Sequence, residues 1–304
     1  VEAVWVAAGT YRPETDEFDP FSEPVFDLPD GIVLLGGFAG TETSADQRDP
    51  AQFATVLSGD LGAPGSSFDD SPLVVRAEGT AEVPLTGVVL DGFTIADAYQ
   101  DGFVVEGAGL LATHATIDIR ACRFERNASG SGGGLRAAFS EVLLDDVVFI
   151  DNEGSSGGGA SFQFSQAALR RVSFSNNRAT EGGGLSLTVT PATLAEVAFT
   201  NNRASRVGGG LNIDRSAVEV VNARFIGNMG GQNGSRFDDV GGALYIDGSL
   251  SNTSVDLTNT LFAGNAASYG SALHGRSAVV RVANSTYTGN VALSEDGGAV
   301  RLTL

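Results

Sequence analysis

A unit of about 25 residues recurs seven times between Phe124 and Val300. Each copy carries an aromatic residue, an Asn three positions later and a glycine-rich box closed by a small apolar residue. The aromatic/Asn pairs are Phe124/Asn127, Phe149/Asn152, Phe174/Asn177, Phe199/Asn202, Phe225/Asn228, Phe262/Asn265 and Tyr287/Asn290. Their intervals are almost constant, apart from one longer step between Phe225 and Phe262. The boxes run from Gly132-Gly133-Gly134-Leu135 to Gly297-Gly298-Ala299-Val300. A unit this short cannot bury its own apolar face and must stack on its neighbours, so the chain is constrained to a solenoid.

The segments ahead of each aromatic are short and β-rich, as in Leu143-Leu144-Asp145-Asp146-Val147-Val148-Phe149, and no helical apolar period competes with them. Reading inward positions by alternation gives one chemically uniform column per position. One column is the aromatics; a second is Cys122, Val147, Val172, Val197, Ala223, Thr260 and Ser285. A third is Leu135, Ala160, Leu185, Leu211, Leu244, Leu273 and Val300. Stacked copies at the strand spacing of about 4.8 Å predict an all-β, single-stranded right-handed parallel β-helix of roughly nine to eleven rungs. It would be about 45–55 Å long. The Asn is expected at a turn whose unusual backbone it tolerates, bonding backbone groups of the stacked turns. The glycines are expected to supply positive φ and close backbone approach. A phosphate-cradling loop would need a Lys after its glycines, and all 18 basic residues are Arg.

These boxes resemble the polymorphic outer membrane protein repeat of bacterial surface proteins, with its Phe-x-x-Asn and Gly-Gly-(Ala/Leu/Ile) elements, across residues 122–300. Val4-Trp5-Val6-Ala7-Ala8-Gly9-Thr10-Tyr11, Gly36-Gly37-Phe38-Ala39-Gly40-Thr41-Glu42 and Leu90-Asp91-Gly92-Phe93-Thr94-Ile95 look like the first turns of secreted, pectate-lyase-like β-helix proteins. The resemblance implies an extracellular or bacterial cell-surface solenoid, often an adhesion passenger or stalk. It carries over no catalytic residue and no single reaction.

One elongated domain over residues 1–304 is expected, with irregular first rungs over 1–95 and regular rungs over 96–304. Neither end reads as capped, which suggests a piece of a longer surface protein whose open rung ends can self-associate. The net charge of −19 argues against nucleic-acid partners. No apolar run is long enough to insert in a membrane. Cys122 falls in an inward column and reads as a small buried apolar residue.

Three excursions interrupt the rungs: an acidic, aromatic loop from Arg12 to Pro29, a second from Gly40 to Asp70, and Met229 to Val240 with Arg236-Phe237-Asp238-Asp239. Loops on a rigid scaffold often carry binding residues. The positions after each glycine box are read as outward. One such column is Arg136, Ser161, Ser186, Asn212, Tyr245, His274, Arg301; the next is Ala138, Gln163, Thr188, Asp214, Asp247, Arg276, Thr303. They would gather Asp214, Tyr245, Asp247, His274 and Arg276 on one patch, a candidate glycan-binding surface. The competing account of the same residues is cross-rung ion pairing, such as Asp247 with Arg276. Asp214 and Asp247 form the one tidy carboxylate pair for a glycosidase, with Arg276 a weak candidate base for a lyase. Asp60, Asp69 and Asp70 are candidate calcium ligands, without the spacing of an EF-hand loop, and no other cofactor is expected. The leading expectation is therefore an adhesion or binding module for a polysaccharide or surface protein. A polysaccharide lyase or hydrolase is the alternative, and a passive stalk the third reading.

Overall fold

The computed structural model describes residues 3–14, 24–62, 69–100, 107–231, 241–249, 253–294 and 297–303. The chain winds as a right-handed parallel β-helix of about ten turns. Among the described residues, three parallel sheets hold ten strands each, and a fourth, short sheet of five strands follows the Asn corner.

One rung shows why the sequence winds this way. Glu141–Asp145 lies in the first sheet, Val148–Ile150 in the second and Ala160–Gln163 in the third. Left-handed backbone at Asp146 (φ 57°), Asp151 (φ 55°) and Phe164 (φ 50°) makes the three sharp corners. The next rung repeats them at Arg171, Asn176 and Val189. Non-glycine residues seldom adopt this conformation, so stacking and the cross-rung hydrogen bonds must hold it in place.

The interior follows the expected columns, except that Val300 in the last rung is exposed. Phe124, Phe149, Phe174, Phe199, Phe225, Phe262 and Tyr287 stack ring on ring, with centroids 4.8–4.9 Å apart and planes within 4–11° of parallel. Beside them runs an unbroken asparagine ladder. The Asn177 backbone N–H and Nδ2 both donate to Asn202 Oδ1, at 3.0 Å each, and Nδ2 also donates to the Phe149 carbonyl at 3.0 Å. Asn127, Asn152, Asn202, Asn228 and Asn265 repeat the pattern. These buried amides are therefore satisfied by their own copies one rung away.

The expected backbone role of the Asn needs correction. The left-handed residue is the one before it, Arg126, Asp151, Asn176, Asn201, Gly227, Gly264 or Gly289. The ladder asparagine is there for its amide. Within the glycine box the two predicted roles separate. The first glycine takes positive φ, as at Gly182 (62°), and the third makes room, since a Cβ on Gly159 would lie 2.6 Å from the Gly184 carbonyl oxygen.

The excursions hold strands, the third only Met229–Gly230 at its start. Thr55–Ser58, inside the stretch read as a loop from Gly40 to Asp70, pairs with Gly9–Tyr11 and Phe93–Ala96. Phe26–Asp27 pairs with Val75–Glu78. Both lack the Asn and glycine landmarks, so the repeat did not reveal them. The Arg236-Phe237-Asp238-Asp239 segment, and most of the acidic loop after Arg12, lie outside the described residues. No helix among the described residues is long and apolar enough to cross a membrane.

Candidate functional site

The third sheet carries the predicted patch in the predicted register. Asn212 pairs with Tyr245 and Asp214 with Asp247; one rung on, Tyr245 pairs with His274 and Asp247 with Arg276. Alternation from the buried Leu211, Leu244 and Leu273 turns all of these side chains out of the interior.

The first outward column is nevertheless covered, which corrects its reading as an accessible face. Arg136, Ser161, Ser186, Asn212, Tyr245 and His274 are all buried, Tyr245 at 8% and His274 at 6% exposure. The turn leading into each glycine box folds back over this column. A Cβ on Gly241 would sit 2.9 Å from the Tyr245 Cβ, and one on Gly270 only 2.8 Å from that of His274. Tyr245 and His274 make a tilted ring contact, centroids 5.7 Å apart. His274 Nδ1 has no hydrogen-bond partner among the described residues. Burial, then Arg301 and Arg276, pushes the imidazole pKa down to about 4, while burial pushes the Tyr245 phenol up to about 12. Both rings are neutral at pH 7.

In the second column the charged residues Asp214, Asp247 and Arg276 are partly exposed and tied up in ion pairs. Asp247 Oδ2 accepts from Arg276 Nη2 at 2.6 Å, and Asp247 Oδ1 from the Ser249 backbone N–H at 2.9 Å. Burial raises the Asp247 carboxyl pKa, but Ser249 and Arg276 outweigh it and hold the group below the ordinary carboxylate range. Asp214 is bound by its own neighbour Arg215, at 2.9 Å. The two carboxylates stand on adjacent rungs, about 4.8 Å apart along the axis. A general acid needs a raised pKa, and Asp247 has the opposite.

Asp60 and Asp69 lie near enough to Asp70 to act on its charge. The Asp70 carboxyl is raised to about 6 by burial and by Asp60, Asp69 and Asp97. Asp60 also faces Arg12, 3.8 Å away. Among the described residues, however, no group of three or more His, Cys, Asp or Glu side chains is arranged to hold a metal ion.

A second outward feature escaped the sequence reading. His114, Phe139 and Phe164 occupy successive left-handed corners and stack at 5.0 and 5.2 Å, with Phe139 54% exposed. Their recurrence at the repeat interval was the available signal. Phe139 is covered by a ring on each face, and the ladder offers an apolar ridge along this corner. No protein-family model matches the chain, and no curated protein sequence matches it.

Proposed function

We propose that this β-helix is a binding module of the extracellular or bacterial cell-surface kind, holding a polysaccharide or a surface partner along its outer faces. The observation that carries the reading is the state of the acid–base candidates. His274 is neutral and covered, Asp214 is paired with Arg215, and Asp247 is held ionised by Arg276 and Ser249. Such groups serve adhesion or structure better than proton transfer. Open grooves along the sheets also favour an extended ligand over a small enclosed one. One, of about 410 Å³, runs over Leu143, Ala168, Thr193 and Glu219 on the first sheet. The resemblance to bacterial surface-protein repeats points the same way, by analogy of fold alone.

The test is to incubate the protein, with and without Ca²⁺, with a panel of acidic and neutral polysaccharides, recording retention and polymer length. Retention at unchanged length is expected. Shortened polymer that depends on Asp247 would replace this reading with the lyase or hydrolase alternative. A blank panel would leave only a protein partner or the stalk.

A further inference from the structure

Two adjacent rungs carry the same tetrapeptide, Asn176-Asn177-Arg178-Ala179 and Asn201-Asn202-Arg203-Ala204, one repeat apart. Within each, the second Asn is buried in the interior ladder while the first Asn and the Arg are exposed. Asn176 and Asn201 have left-handed backbone at φ 58° and 55°. Their side-chain amides make no hydrogen bond among the described residues, unlike those of Asn177 and Asn202. Arg178 and Arg203 are direct register partners, about 4.8 Å apart along the axis. The four side chains line one open, polar groove of about 560 Å³.

The two arginines differ from most of their kind in this chain. Arg126, Arg171, Arg206 and Arg281 each reach back one rung to an acid, meeting Asp97, Asp146, Glu181 and Asp256. Arg136 bonds Ser131 and Gln163, and Arg301 lies over the Tyr269 ring. Arg178 and Arg203 have neither ion pair nor hydrogen bond through their side chains among the described residues, although Glu153 sits on the rung next to Arg178. Like charges directly opposite on neighbouring strands are destabilising. The arrangement is also confined to two rungs. Asp151 and Glu153 bound it on one side, Gly227 and Met229 on the other.

We propose that this groove is a subsite for a short acidic stretch of polysaccharide, with carboxylate or sulfate groups held by Arg178 and Arg203 and ring hydroxyls by the Asn176 and Asn201 amides. A guanidinium presents a planar fork of donors that fits either anion. An amide that both donates and accepts matches a hydroxyl. A sugar unit is close to one rung in length, so a chain lying along the axis brings successive acidic units into register with successive arginines. The acidic rung at Asp151 and Glu153 repels a third anion and limits the recognised stretch. This inference rests on the glycan-binding reading above and names the ligand class and place.

The experiment measures binding of the full chain to polygalacturonate, a sulfated glycan, neutral dextran and poly-aspartate. It compares the native protein with Arg178→Gln/Arg203→Gln, and with Arg224→Gln as a control at a surface arginine outside the groove. The native protein is expected to bind polygalacturonate or the sulfated glycan, and whichever of the two binds identifies the anion. The double substitution should weaken that binding about tenfold or more, with dextran unbound and the control unchanged. Removing surface charges that repel each other should leave the fold intact, which a thermal melt verifies. Equal binding by the double variant overturns the subsite while leaving the glycan-binding reading in place. Dextran binding that the variant retains has the same meaning. Failure of every polysaccharide overturns both. Poly-aspartate binding as tight as polygalacturonate, and equally lost in the variant, overturns the saccharide class in favour of an acidic peptide.

Discussion

Asn177 and Asn176 are neighbours in sequence and opposites in the fold. The first gives and receives hydrogen bonds on both sides of its rung and is fully buried; the second turns its amide to water. The contrast extends to the whole molecule. Inside, the repeat columns pack against copies of themselves, so a change in one rung disturbs the rungs above and below. Outside, each rung carries its own chemistry, and a corner column can pass from Asp146 to Arg171 to Glu196 without altering the winding. A solenoid thus separates folding from recognition by side of the strand, because its stability is a sum of neighbour terms made by inward residues.

The sharpest way to break this division is from within. Phe174→Ala removes a ring stacked between Phe149 and Phe199 and should cost about 3–5 kcal/mol, read as a lower denaturant midpoint. A loss below about 1 kcal/mol would mean the stack is not the core that holds the rungs. Asn177→Ala strips partners from the Phe149 carbonyl and from two N–H donors of Asn152. At roughly 1–3 kcal/mol for each unsatisfied buried group, a loss of at least about 3 kcal/mol is expected. Asn176→Gly, which keeps the left-handed corner accessible, should differ from it by being nearly silent in the same melt.

His274 sharpens the comparison, being an outward residue with an inward fate. Its folded pKa of about 4 lies below the ordinary 6.5, so the unfolded chain binds the proton more readily. The penalty is absent above pH 6.5 and grows as pH falls toward 4, reaching roughly 2–3 kcal/mol. His274→Gln should flatten that part of the acid limb, measured by melts from pH 7 to 4. An unchanged slope would mean the ring is reached by water. The smallest effect is expected at the exposed pair. Arg276→Ala should change stability by no more than about 1 kcal/mol, since half-exposed ion pairs are screened; a larger loss would make the Asp247 pair part of the framework.

The columns of Phe124, Asn127 and Leu135 and their copies were legible because inward residues see identical neighbours, so the repeat appears in the sequence undiluted. The register that sets Asp214 beside Asp247 and Arg276 followed from the same spacing. The strands Thr55–Ser58 and Phe26–Asp27 were hidden because the first rungs lack those landmarks. The covering of Tyr245 and His274 was hidden for another reason. Alternation tells which face of a strand a side chain leaves, but not whether a neighbouring turn folds over it.

By itself, then, the amino-acid sequence determined the winding, the rung length and the order of side chains along each column, since these depend on local spacing and nearest-neighbour stacking. Only the tertiary structure decided which outward residues meet water, which arginines find an acid, and that Asn176, Arg178, Asn201 and Arg203 share one groove. Those outcomes depend on the path of the turns between the strands, and on distances among residues that no repeat relates.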